Sequence, residues 1–246
     1  MLGAVLGGAA LLAPASPWTT GPRPARADGQ AADEAPIATL PVEGDRQVEV
    51  VNGPANSSRV MLYMHGVCGD PLGFRSWSAV AARFATLISL RGDSPCKDRP
   101  GRTGWSYNLA LTDRRITAAI RVADALRRER GEAPLDGAQV TLFGYSLGAR
   151  RAEWLAAQFP GRYGRVAMVG SPIKPEPGRL SRHARFLVMA GSLDARQHLI
   201  EGSQDLAKAG LTVRYAELPG ARHGEYGPEA TRVMTESLVW LFKNLP

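Results

Sequence analysis

Six short apolar runs recur along the chain: Val60–Met64, Ala85–Leu90, Val140–Phe143, Val166–Val169, Phe186–Ala190 and Val213–Leu218. Most show no polar alternation, the pattern of strands covered on both faces of a parallel sheet. Between them lie Leu72–Phe84, Leu109–Arg130, Leu147–Phe159 and Ala195–Ala209, each with apolar residues three or four apart and many with Gly or Pro at an end. Repeated strand-then-helix order predicts an α/β fold: a doubly wound, mostly parallel sheet with helices on both faces. Ile37–Leu40 and Gln47–Val51 add one or two leading strands, and residues 228–245 read as a closing amphipathic helix through Val233, Leu238, Trp240, Leu241 and Phe242. No repeat or composition break divides residues 37–246, which are therefore expected to form one domain.

Composition narrows the class of function. With 246 residues, 44% of them hydrophobic and 22% charged, the chain can bury a sizeable core. Collagen, coiled coil, disulfide-dense miniprotein and polytopic membrane protein are excluded. The net charge of +7 raises a nucleic-acid partner. However, the 26 Arg and 4 Lys are spread over the whole length and interleaved with acids, so no basic face is expected and no nucleic-acid partner with it.

The amino end carries a second signal. Residues 2–13, LGAVLGGAALLA, are too short to span a bilayer but suit the apolar region of a secretory signal. Ala13-Pro14-Ala15 and Ala25-Arg26-Ala27 offer cleavage sites, placing the mature start near Ser16 or Asp28; no Lys or Arg precedes the apolar run. Residues 14–36 hold too few bulky apolar groups to build a core and read as a disordered leader. Residues 1–36 are thus a signal-like segment and leader. The expectation is a secreted or periplasmic protein with no stable membrane span after processing, and the alternative is a cytoplasmic one.

In a doubly wound sheet the site lies at the carboxyl ends of the strands. There Gly144-Tyr145-Ser146-Leu147-Gly148 follows the run QVTLF and precedes the helical segment ARRAEWLAAQF. A serine on so tight a strand-to-helix turn needs small flanking residues, and the turn lifts its hydroxyl above the sheet. The helix that follows points its amino-terminal N–H groups at any charge developing there. These residues resemble the nucleophile elbow of the α/β-hydrolase superfamily.

Further pieces fit the resemblance. The run RVMLYM leads into His65-Gly66-Val67-Cys68-Gly69-Asp70, similar to the superfamily's oxyanion loop. The resemblance implies backbone N–H donors from Val67 and Leu147, with His65 stabilising the turn rather than catalysing. Asp194, in Gly191-Ser192-Leu193-Asp194 after FLVMA, occupies a position where the superfamily often keeps its acid. It would equally serve as N-cap of a helix starting near Ala195, and Glu176 is the acid's alternative after the preceding strand. Of the four histidines, His65, His183, His198 and His223, only His223 follows the last strand. The order Ser146, Asp194, His223 matches the superfamily's order, and the resemblance spans roughly residues 58–244. It implies a serine hydrolase acting on carboxylic esters, with a peptidase or amidase, or a non-catalytic binding scaffold, as alternatives. No cofactor is implied, and no His/Cys/Asp cluster has metal-ligand spacing.

Two features bear on access. Cys68 and Cys96 each follow a strand near the expected active edge, and in an exported protein they are able to form a disulfide; the alternative is two free thiols. Superfamily lids are often inserted after the strand that follows the nucleophile helix. Here that connection, Gly170–Arg185, is short and broken by Pro172, Pro175, Pro177 and Gly178. It leaves no room for a cap domain. Arg91–Tyr107 is the other covering segment, with Trp105 its one large apolar group. An open, shallow site for short acyl esters, or for the exposed ester at the end of a larger molecule or polymer, is expected.

Overall fold

The computed structural model describes residues 34–243; the signal-like segment and nearly all of the leader lie outside the described residues. Among the described residues ten strands and five α-helices follow one another: β1 (Ala38–Leu40), β2 (Val48–Val51), β3 (Val60–Met64), α1 (Ser78–Ala82), β4 (Thr86–Leu90), β5 (Ser94–Pro95), β6 (Thr103–Gly104), α2 (Leu109–Glu129), β7 (Val140–Tyr145), α3 (Leu147–Gln158), β8 (Arg165–Val169), β9 (Arg185–Gly191), α4 (Gln197–Lys208), β10 (Thr212–Leu218) and α5 (Ala230–Phe242). Eight of the strands form one sheet in the order β1-β2-β4-β3-β7-β8-β9-β10. The pairs β1–β2 and β2–β4 are antiparallel, and every pair from β4 to β10 is parallel.

The apolar runs do what their lack of alternation predicts. All five residues of β3 are buried; Val60, Leu62 and Met64 face one core, while Met61 and Tyr63 face the other. The first core is closed by α2, α3 and α4, the second by α1 and α5. Apolar side chains on both sides of a strand leave water nowhere to reach it, and that burial is the main driving term of the fold.

Two expectations are corrected. The helix expected over Leu72–Phe84 is a 3-10 turn, Arg75–Trp77, running into the five-residue α1. Its first half is diverted because the Asp70 carboxylate accepts the Leu72 amide at 2.9 Å and Gly73 packs against the Tyr63 hydroxyl. Such a side-chain-capped turn competes with helix. The second correction is the segment Arg91–Tyr107, which carries the small hairpin β5–β6. Trp105 is buried there and does not cover the site; its indole N–H donates to the His65 carbonyl at 2.8 Å. Between β8 and β9 the chain forms neither helix nor strand, as the prolines dictate.

Candidate active site

The turn between β7 and α3 is shaped by glycine. A Cβ on Gly144 would lie 2.2 Å from the Gly148 carbonyl oxygen, and one on Gly148 would lie 2.0 Å from that of Met64. Neither position accepts a side chain. Ser146 between them takes φ 53° and ψ −119°, a conformation that costs a non-glycine residue on the order of 1–3 kcal/mol. It is held there by its amide, which donates to the Val169 carbonyl at 2.8 Å.

Ser146, His223 and Asp194 come together although far apart in sequence. The Ser146 hydroxyl donates to His223 Nε2 at 3.0 Å, and His223 Nδ1–H donates to Asp194 Oδ2 at 2.8 Å. That pairing selects the tautomer with a free lone pair at Nε2, facing the serine. Asp194 Oδ1 accepts the Ala195 amide at 2.7 Å. The helix starts only at Gln197, with Arg196 at its cap position, so Asp194 is not its N-cap. Glu176 is exposed and its amide bonds to Glu153, which places it away from His223. His183 is exposed, and His198 bonds the Ser171 carbonyl; neither joins the group.

The acid and histidine loops are laced to each other. The Leu193 amide donates to Ala221, the Ser192 amide to Leu218, and the Gly220 amide to the Ser192 hydroxyl. Tyr145 adds a clamp that its sequence context did not disclose. Its hydroxyl accepts the Gly224 amide at 2.7 Å and its ring stands edge-on to His223. Burial pushes this phenol up to about 12, so it stays protonated. Gly170 was also missed. It takes φ 54°, a backbone conformation that L side chains rarely adopt, and its Cα lies against the pair: a Cβ there would make ordinary contact with His223 Cε1 at 3.4 Å and Asp194 Oδ2 at 3.5 Å. A glycine directly after a buried strand was the available signal.

On the opposite lip, Gly66 stands so close that a Cβ would come within 3.1 Å of Ser146 Cβ. Val67 lines the cleft together with Ser146, and neither the Val67 nor the Leu147 amide donates to a backbone carbonyl in the turns, loops and caps of the described residues. Leu147 opens α3, where the first amides have no helical acceptor. The loop bearing Val67 is held by its surroundings. His65 Nε2 accepts the Gly92 amide at 3.0 Å, so the proton sits on Nδ1, which donates to the Gly66 carbonyl at 2.7 Å. Burial lowers the His65 pKa below its ordinary value and favours this neutral form. Cys68 and Cys96 form a disulfide that ties the loop to the β5–β6 hairpin, and Arg102 donates to the Gly69 carbonyl at 3.3 Å.

The site opens into a cleft of about 480 Å³ between residues 66–70 and 223–226. Among the described residues, no cluster of three or more His, Cys, Asp or Glu is arranged to hold a metal. No helix among them is long and apolar enough to cross a membrane.

No protein-family model and no curated protein matches the sequence. Solved structures do match the fold. A mutant esterase superposes with a TM-score of 0.60 over 87% of this chain and 83% of its own, at 15% identity. A ferulic acid esterase from Anaeromyces mucronatus, solved with ferulic acid, gives 0.57 over 85% and 90% at 16% identity. The fluorophosphonate-binding serine hydrolase F of Staphylococcus aureus gives 0.57 over 85% and 98% at 12% identity. The chain has the α/β-hydrolase fold. Within that α/β-hydrolase architecture the Ser146 turn follows the central strand β7, and Asp194 and His223 follow β9 and β10.

Proposed function

We propose that the protein is a serine hydrolase of carboxylic esters that works through an acyl-enzyme. The hydrogen-bonded chain from Ser146 through His223 to Asp194 carries this reading. His223 Nε2 takes the Ser146 proton as Oγ attacks the ester carbonyl, and Asp194 stabilises the resulting imidazolium. The tetrahedral oxyanion is received by the Val67 and Leu147 amides, which make no backbone bond in the turns, loops and caps of the described residues. His223 then gives its proton to the leaving alkoxide, which departs as the alcohol. A water attacks the acyl-enzyme by the same route, releasing the acid and restoring Ser146.

Substrates are short acyl esters, or ester groups exposed on a larger molecule. Supporting this are the structureless connection between β8 and β9 and four exposed apolar side chains on loops at the carboxyl edge of the strands: Val67, Tyr107, Ile173 and Leu193. Such a rim lets a large molecule rest against an uncovered serine. The disulfide supports a secreted or periplasmic setting.

The test is hydrolysis of p-nitrophenyl esters from acetate to palmitate, with Ser146→Ala as control. The expected outcome is turnover of short esters that falls with chain length and drops by at least about 10⁴-fold in the variant. Activity in Ser146→Ala within a few-fold of the parent, or a sharp rise on long chains at the oil–water interface, would contradict the reading.

A further inference from the structure

The hairpin of β5 and β6 ends in a tight turn, Arg99-Pro100-Gly101-Arg102. The Arg102 amide donates to the Arg99 carbonyl at 3.0 Å, and the Cys96 amide to the Arg102 carbonyl at 3.1 Å. Pro100 fixes its own φ, and Gly101 takes φ 78°, a left-handed value that glycine adopts freely. Three ties hold this turn to the lip of the cleft. They are the Cys68–Cys96 disulfide, the Arg102 guanidinium on the Gly69 carbonyl at 3.3 Å, and the same guanidinium on Asp70 at 3.5 Å. The turn therefore holds the Arg99 backbone in place, and its side chain lines the same cleft as Ser146 and His223.

Two side chains of fixed charge line that cleft among the described residues, Asp70 and Arg99. Asp70 is engaged: one oxygen accepts the Leu72 amide at 2.9 Å and the other faces Arg102. Arg102, at the far end of the turn, is likewise taken up by the loop it binds. Arg99 is exposed, and its guanidinium makes no ion pair or hydrogen bond among the described residues, with Asp98 or with any other acid. The cleft wall thus presents one reachable cation that no carboxylate of the described residues neutralises.

We infer that Arg99 is a specificity-determining residue that receives a carboxylate carried by the ester that Ser146 attacks. The inference rests on the serine-hydrolase reading and names the substrate class of that site: esters bearing a second, ionised group. A guanidinium presents its N–H donors in a planar fork that the two oxygens of a carboxylate match. The net charge of +7 adds a long-range pull on anions. A cleft of about 480 Å³ has room for a short ester and such a group together. Because Arg99 is exposed, its attraction for the carboxylate is modest and weakens as salt rises.

Two isosteric pairs separate charge from shape. Monomethyl glutarate against methyl glutaramate places the charge on the acyl side, and 4-acetoxybutanoate against 4-acetoxybutanamide places it on the alcohol side. The parent should prefer the carboxylate of at least one pair in kcat/KM by about five-fold at low ionic strength. That preference should shrink as NaCl rises from about 20 mM to about 0.5 M. Arg99→Gln should lower the ratio about five-fold, Arg99→Glu should lower it further, and Arg99→Lys, which keeps the charge without the fork, should retain part of it. Calorimetric binding of the same esters to Ser146→Ala, alone and combined with Arg99→Gln, reads the preference without turnover. If the parent hydrolyses none of the four, the hydrolase reading fails and binding alone decides this one. Equal treatment of carboxylate and amide in both pairs, or a carboxylate preference that Arg99→Gln leaves intact, would overturn the assignment. So would an Arg99→Gln variant that melts several degrees lower, because the guanidinium would then be bonded within the protein.

Discussion

Ser146 sits on a turn shaped by close glycine packing, whereas Val67, on the opposite lip of the cleft, sits on a loop held by side-chain cross-links. On the first side, backbone atoms occupy the space a Cβ would need at Gly144, Gly148 and Gly191, the last with the Ala221 carbonyl oxygen 2.2 Å away. Ser146, Asp194 and His223 are positioned by strand ends in one parallel register. On the second side, the loop after β3 depends on the Cys68–Cys96 bond, the His65 imidazole and Arg102. Substitution of a reacting group on the first side should therefore cost rate and leave the fold. Substitution on the second should cost stability and only part of the rate.

Asp194→Asn separates the sides most strongly. The amide favours the wrong His223 tautomer, and kcat should fall by about 10⁴-fold with Tm nearly unchanged. A loss under ten-fold would mean that the carboxylate does not serve the histidine. Cys68→Ser comes next. Opening a loop with a sequence separation of 28 releases the unfolded chain, worth about 3.5 kcal/mol in the chain-entropy account and a Tm drop of roughly 7–14 °C. A loosened Val67 amide should lower kcat by about 10- to 100-fold. Calorimetry and steady-state kinetics on the variant check both numbers, and an unchanged Tm with unchanged kcat would erase the contrast between the two lips.

The smallest effect concerns pH. The folded protein holds His65 below its ordinary pKa of 6.5 because the ring is buried. As pH falls through 6.5 the unfolded chain takes up the proton first, so stability present above that value declines towards acid. The acid-side decline in Tm should be shallower in His65→Gln, which has no ring to charge. Parallel Tm profiles from pH 7.5 to 4.5 would show that His65 is not part of this linkage.

The elbow and the order of Ser146, Asp194 and His223 were readable because each depends on local turn chemistry at a strand end. The alternation of buried strands and helices was readable for the same reason: its periodicity is local. The supports were not. Tyr145 clamps Gly224 across 79 residues, and His65 receives Gly92 across 27. Nothing in the pattern around either residue names its partner. Gly92 is a further instance, with a Cβ position only 1.9 Å from the Gly104 carbonyl oxygen; this closeness exists only once the hairpin folds back. Trp105 misled for the opposite reason. An apolar residue in a polar loop reads as cover for a site, but its indole N–H found the His65 carbonyl beneath.

The most direct measurement is intact-mass analysis of the protein after exposure to a fluorophosphonate probe, followed by peptide mapping. The probe phosphonylates a serine whose proton is removed by a neighbouring base and whose oxyanion is received by backbone amides. One adduct per chain, mapped to Ser146 and abolished in both Ser146→Ala and His223→Ala, is the predicted result. An unlabelled parent protein, or an adduct that maps elsewhere and persists in Ser146→Ala, would contradict the assignment of Ser146 as the nucleophile.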